Sequence, residues 1–294
     1  MNSSIPLVSV GIPTYNRRHF LPQTLDSIFN QSFKDYEVVI VDDGSTDQTS
    51  EWIASLNDSR IRYYYQPNAG DAAARNRIIQ LAQGQYITFL DSDDLMAENA
   101  LQNMVQTIQQ YHQPVIVYGA YWRIDETGRI IGRYKGPMPS GQVTSHLFDR
   151  IFIHSCGSMF PKTVFDEHGL CFDTSLKVCS DYYLWLRLST RYPFIPTSHP
   201  TFLRRRHAGC LSQISSEKVK IELSVLKKFY EQEGQEFIDP ARASKRFSRC
   251  LYRIAKALRQ EKQMALAKDY FYDSFKTKPN LKALLGYLCI YLKS

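Results

Sequence analysis

The 294 residues include 44% hydrophobic and 22% charged side chains, ordinary proportions for a globular chain of one or two domains. No apolar run reaches the roughly 18–20 residues that cross a bilayer. The opening Met-Asn-Ser-Ser-Ile-Pro lacks a basic-then-apolar leader, so neither a membrane span nor a secretory signal is expected.

The net charge of +7 is unevenly spread. Residues 215–294 hold 17 Lys/Arg against 9 Asp/Glu, whereas 1–214 hold 19 against 20, so the basic character belongs to the C-terminal region. The six cysteines (156, 171, 179, 210, 250 and 289) form no C-x-x-C pair. Neither a zinc site nor a disulfide framework is expected, and isolated thiols suit a reducing cytoplasm.

In chain order, Val8–Thr14 is an apolar β-branched run that predicts a strand, followed by a helical stretch over 21–30. Tyr36–Val41 predicts a second strand ending in Asp42-Asp43-Gly44-Ser45. A helix near 49–56, a strand at Ile61–Tyr65 and a helix over 70–82 come next. The strand Tyr86–Leu90 then runs into Asp91-Ser92-Asp93-Asp94. A helix over 97–111 and a strand over 115–121 close this series. Strands alternating with helices at this spacing imply βαβ units and a mostly parallel sheet. No G-x-G-x-x-G follows the first strand, which disfavours the usual dinucleotide fold.

From about 123 to 214 the pattern is mixed. Residues 129–134 suit a hairpin strand and 181–191 a helix, while 194–204 look like short strands broken by Pro196 and Pro200. Everything beyond Ser215 reads helical. There Phe247, Leu251, Ile254 and Leu258 form one stripe flanked by basic residues, Arg246 and Arg253 among them.

Three strand ends carry the chemistry. In a parallel sheet, Pro13-Thr14-Tyr15-Asn16, Asp42-Asp43 and Asp91-Ser92-Asp93 share the rim where open α/β sheets bind ligands. Crowded carboxylates are tolerable there when a divalent cation or a donor-rich ligand is bound, and hard oxygen ligands suit Mg²⁺ or Mn²⁺ carrying a diphosphate. Tyr15 is placed to stack on a base, and Arg75 to reach base or phosphates. The bland alternative for Asp93 or Asp94 is a helix cap near residue 97.

These residues resemble the glycosyltransferase family 2 enzymes of GT-A fold. The likeness runs through VSVGIPTYN (8–16), YEVVIVDDGST (36–46), NAGDAAARN (68–76) and GQYITFLDSDD (84–94). It continues more weakly through SDYYLWLRL (180–188) and RRRHAGCLS (204–212). The resemblance implies an α/β, Rossmann-like mostly parallel sheet flanked by helices, and inverting transfer of a sugar from a nucleotide-sugar donor to an acceptor hydroxyl. It implies Asp93, supported by Asp91, as ligand of Mn²⁺ or Mg²⁺, with Ser92 between them in the motif. Pro13 and Tyr15 would border the base, and Asp43, or alternatively Asp42, would accept its hydrogen bond.

Asp181 would be the general base. Relatives carry Glu-Asp where this chain has Ser180-Asp181, and that departure keeps a catalytically silent nucleotide-sugar binder as the alternative. The rival reading of Asp181 is a helix cap. His207 and Ser212 match a loop that covers the diphosphate in relatives, with a solvated basic loop as the alternative. His154 and Trp185 read as structural.

A sugar-1-phosphate nucleotidyltransferase would need a glycine-rich basic loop after the first strand, which Pro13–Asn16 is not. A nucleic-acid binder conflicts with the acidic rim. The expected organisation is a catalytic domain over 1–214, binding the donor through 1–122 and the acceptor through 123–214, and a basic helical region over 215–294. Partners would be the nucleotide-sugar and a glycan or lipid-linked acceptor. The location would be cytoplasmic, with peripheral contact at the inner membrane face through 245–294 set against plain helix packing.

Overall fold

The computed structural model describes residues 5–167, 169–207 and 215–292. Its elements are β1 (Val8–Thr14), α1 (Leu21–Phe29), β2 (Tyr36–Asp42), α2 (Thr49–Ser55), β3 (Ile61–Tyr65), α3 (Asp71–Leu81), β4 (Tyr86–Phe89), β5 (Leu95–Met96) and α4 (Ala100–Ile108). They continue as β6 (Ile116–Ile124), β7 (Ile130–Arg133), α5 (Thr144–Asp149), β8 (Ser158–Pro161), α6 (Thr163–Asp166), α7 (Ser180–Ser189) and β9 (Phe194–Arg205). Four helices end the chain: α8 (Ser216–Phe229), α9 (Pro240–Gln260), α10 (Met264–Thr277) and α11 (Leu281–Tyr291).

The described residues divide into two compact units, one of 5–143 with 152–207 and the other of 144–151 with 215–292. The first holds a nine-stranded sheet of order β3-β2-β1-β4-β8-β6-β9-β5, with β7 on β6. From β3 to β4 the pairing is parallel, and beyond β4 it is mixed: β8 runs antiparallel to both β4 and β6, and β9 parallel to β6.

Every residue of β1 and β2 is buried, as near-continuous apolar strands covered on both faces must be. Helix α1 covers one face through Leu21, Leu25 and Ile28, and α4 through Leu101, Met104, Val105 and Ile108, each set at helical spacing. Burying a side chain of this size is worth about 1.5–3 kcal/mol. Pro13 is tolerated in a central strand because β4 pairs β1 only over Val8–Gly11.

Strand order reverses at β1, between β2 on one side and β4 on the other. The three strands that end in PTYN, DDGS and DSDD are therefore neighbours, and their C-terminal ends meet at a switch point.

Two local readings are corrected. The helix expected over 97–111 begins only at Ala100, because Leu95 and Met96 pair with β9 and Asn99 takes φ 57°. Residues 194–205 form one strand instead of broken pieces. Shifts in register against β6 at 118/120 and 120/121 accommodate the prolines.

In the second unit Ile254 and Leu258 of α9 are buried and Phe247 and Leu251 half-buried. Arg246 is buried, donating to the Phe148 carbonyl of α5 (2.7 Å) and to Glu222 Oε1 of α8 (2.5 Å). Arg253 reaches the same carboxylate at 2.8 Å. These two arginines, read from the sequence only as basic flanks of the apolar stripe, hold the helices together. Residues 144–151, which lie within 123–214, pack with these helices.

Candidate active site

The turns after β1 and β2 are stitched together before any ligand is considered. The Asn16 N–H donates to Ser45 Oγ (2.8 Å), and the Thr46 N–H to Asn16 Oδ1 (2.8 Å). Asp42 is buried and accepts from the Ser45 N–H (2.8 Å) and the Tyr63 hydroxyl (2.7 Å). Asp43, also buried, accepts from Gln66 Nε2 (2.7 Å) and from the Ala69 and Gly70 N–H groups (2.8 Å each). Both carboxylates thus shape the rim, Asp43 by pinning the loop that leads into α3. Gly44 makes the turn with φ 91°, and a Cβ there would lie 2.9 Å from the Asn68 backbone nitrogen. Pro13 is buried behind the turn, and Tyr15 is 50% exposed, free to present its ring.

Arg75 lies buried at the middle of the rim. Its Nε donates to Asp71 (2.9 Å) and its Nη2 to Asp91 (2.5 Å), and its guanidinium sits over Phe89 and Phe172. Its Nη1 is buried and has no hydrogen-bond partner among the described residues, an orphaned cationic donor beside an acidic strand end.

The acidic turn separates into distinct roles. Asp91 is exposed enough to reach solvent, and Ser92 is buried, its carbonyl accepting the Thr24 hydroxyl (3.0 Å). Asp93 Oδ2 meets His207 Nε2 at 2.9 Å. Asp94 is buried, and its Oδ1 accepts the Arg205 N–H at 2.8 Å. The cap reading therefore fails for Asp94: the residue is tied to β9, and α4 starts six residues later. The solvated reading of His207 fails too, because its ring is buried against Phe20 and bonded to Asp93. Ser212 lies outside the described residues.

Among the described residues, the acidic turn contributes to one group of three closely spaced ligand atoms. Ligand atoms of Asp91, Asp94 and Cys156 lie within 4.8 Å of one another. Burial, reinforced by the neighbouring carboxylates, pushes both the Asp94 carboxyl and the Cys156 thiol towards their neutral, protonated forms. A protonated thiol and a carboxyl already bonded to Arg205 make poor ligands for a hard cation. Asp91 and Asp93 supply the hard oxygen donors that Mn²⁺ or Mg²⁺ prefers, but among the described residues they do not converge with His207 into such a group: Asp91 is bonded to Arg75 and Asp93 to His207.

Sequence reasoning missed Arg205. Its guanidinium donates to the carbonyls of Asp93 (2.8 Å) and Glu126 (2.7 Å) and to Gln23 Oε1 (2.8 Å), and it stacks on Phe20. It therefore ties the acidic turn to α1 and to the β6–β7 turn. Nothing in the run Arg204-Arg205-Arg206 distinguishes the middle arginine.

Asp181 lies in the first turn of α7, after Cys179 at φ 64°, and its Oδ1 accepts the adjacent Tyr182 N–H (2.7 Å). It does not occupy the capping position. Burial raises its pKa, the Arg75 cation opposes that rise, and Asp71 and Asp91 add smaller upward pushes. The carboxylate thus shares one electrostatic neighbourhood with the Asp71–Arg75–Asp91 chain. Trp185 is fully buried, stacked on Phe160 at 4.7 Å and edge-on to Phe172. His154 packs against Tyr121 and Phe202. Both occupy the structural positions expected of them.

Comparison with known proteins agrees with this geometry. The family profile described as Glycosyl transferase family 2 matches residues 9–169. A glycosyltransferase of Rickettsia bellii, itself uncharacterised, is 35% identical over 190 residues, 63% of this chain and 26% of that protein. Another from Rickettsia typhi is 34% identical over 202 residues, 65% of this chain and 62% of that protein. The chain thus spans between about a quarter and three fifths of those relatives.

WcaA of Escherichia coli strain K12, provisionally named a colanic acid biosynthesis glycosyl transferase, is 32% identical over 192 residues, covering 64% of this chain and 67% of WcaA. Among solved structures, S. aureus TarS 1–349 in complex with UDP-GlcNAc superposes with TM-score 0.68 at 17% identity, over 97% of this chain and 89% of that one. The mannosyltransferase PcManGT of Pyrobaculum calidifontis, solved with GDP-Man and Mn²⁺, gives 0.56 at 18% identity over 97% and 88%. At such identities the likeness concerns the fold.

Proposed function

The chain belongs to glycosyltransferase family 2, and from that premise we propose that it moves a sugar from a nucleotide-diphospho-sugar to an acceptor hydroxyl with inversion, Asp181 serving as base. The observation that carries this reading is the position of Asp181. It is a partly buried carboxylate in the first turn of α7, held in the field of Arg75, which in turn bonds Asp91 just after β4. Desolvation raises proton affinity and the arginine keeps the carboxylate ionised, a balance suited to taking a proton from a sugar hydroxyl.

Tyr15 and Pro13 border the base, while Asp42 and Asp43 hold the rim against which it rests. The unpartnered Arg75 Nη1 offers a donor to the diphosphate. Asp93 and Asp91 would hold the divalent cation, with Ser92 fixing the turn between them. When bound, that cation would supply charge neutralisation to the departing nucleotide diphosphate.

The acceptor is a glycan or lipid-linked sugar in surface polysaccharide or glycolipid synthesis, a reading favoured by the likeness to WcaA. Cys156, Cys171, Cys250 and Cys289 form no disulfide, which suits action in the cytoplasm.

The test compares wild type with Asp181→Asn. Binding of UDP or GDP with Mn²⁺ should survive in both, while donor turnover should fall by about 10²–10⁴-fold in the variant. Nucleotide binding without turnover in either protein would replace this reading with a silent nucleotide-sugar binder.

A further inference from the structure

Helix α11 is turned inside out for a helix bathed in water. Its small residues face the protein: Ala283 is fully buried, and a Cβ on Gly286 would lie 2.6 Å from the Phe271 ring of α10. Four of its leucines face outward, while Leu284 and Ile290 are half-buried. Leu281, Leu285, Leu288 and Leu292 are 68%, 56%, 37% and 78% exposed and recur at spacings of four, three and four, which puts them on one stripe. Tyr272, Tyr287 and Tyr291 adjoin it as a chain of ring contacts at 5.6 and 5.8 Å.

The charge beside this stripe is predominantly basic. Between Leu281 and Tyr291 there is Lys282 and no acid. Lys276 and Lys278 precede it, and Lys268 approaches the Tyr291 ring at 5.9 Å. The nearby carboxylates, Asp269 and Asp273, belong to α10.

We propose that the outer face of α11 docks on an anionic lipid bilayer, the leucines entering the headgroup boundary and Lys276, Lys278 and Lys282 meeting lipid phosphates. The leucine stripe, the adjoining tyrosine rings and the lysine flank are the marks of an interfacial helix. A second copy of this chain is the weaker occupant. Two such stripes face to face would bring lysine against lysine, with no acid on either helix to pair them. The contact lies in the C-terminal helices and does not depend on the catalytic reading. It also moves the surface away from α9, whose apolar stripe is buried or half-buried.

The experiment is flotation of the full chain with vesicles of phosphatidylcholine alone or mixed with phosphatidylglycerol, alongside Leu285→Glu/Leu288→Glu and Lys276→Ala/Lys282→Ala. Wild type should float with the anionic vesicles and weaken as salt rises. The leucine variant should lose more than about tenfold in partitioning, within what two leucines supply on burial. The lysine variant, which leaves the apolar stripe intact, should lose the preference for anionic lipid. Failure of wild type to float, or equal flotation of a folded leucine variant, would overturn the proposal. If the leucine variant fails to fold, equal lipid preference in the lysine variant does so. Concentration-dependent dimerisation of wild type in ultracentrifugation, abolished by the leucine changes and without flotation, would assign the face to a second copy.

Discussion

At the scale of single residues, Asp181, Asp93 and His154 make separable predictions. Because burial raises the Asp181 pKa and the ionised form is the base, kcat/KM should fall as pH drops through a value higher than that of an ordinary aspartate, and Asp181→Asn should lack that acid limb. Asp93→Asn should keep the fold but lose the Mn²⁺-dependent component of the thermal shift given by a nucleoside diphosphate. For wild type at 100 times the dissociation constant, the full ligand effect is about 2.7 kcal/mol.

His154 concerns stability alone. Burial, with a smaller push from the Arg204 cation, lowers its pKa from 6.5 to about 3. Between those values the unfolded chain binds a proton that the folded chain refuses. The stabilisation is therefore complete above 6.5 and is lost as pH falls towards about 3. His154→Gln should flatten the fall of the urea midpoint across that window.

At the scale of elements, the acidic turn after β4 is held by Arg205 at the end of β9, more than a hundred residues away in sequence. Arg205→Met keeps the stem but leaves the carbonyls of Asp93 and Glu126 and the Gln23 amide without their donor. The variant should lose about 1.5–3 kcal/mol by denaturant midpoint, the loss of hydrogen bonds from a charged donor to part-buried acceptors. It should also weaken Mn²⁺-dependent nucleotide binding more than a core substitution of equal stability cost. The strands themselves were legible: β1, β2 and β4 are continuous apolar runs, and that local pattern survives any tertiary context. The start of α4 was not, because Leu95 and Met96 are claimed by pairing with Leu203 and Phe202, residues distant in sequence.

At the scale of the whole molecule, residues 144–151 belong with the C-terminal helices. Phe148 of α5 packs against Phe229, Tyr230 and Phe247, and Asp149 pairs with Arg242 at 2.8 Å. Cutting the chain after residue 214 removes all four of these partners and strips the buried Phe148 of three aromatic neighbours. That truncation should run as soluble aggregate on size exclusion, where the full chain elutes as a discrete species.

The sequence by itself determined the α/β class, the order of its N-terminal elements and the three strand ends that meet at the rim, because hydrophobic period and strand-end chemistry are local properties. Only the tertiary structure decided which charge does what. It left Asp91 open to solvent, buried Asp94 against β9, drew Asp42 and Asp43 into framing hydrogen bonds, and set Arg75 between Asp71 and Asp91. It also turned four leucines of α11 outward. Burial and pairing depend on segments far apart in the chain, and a run of residue types carries no record of its distant partners.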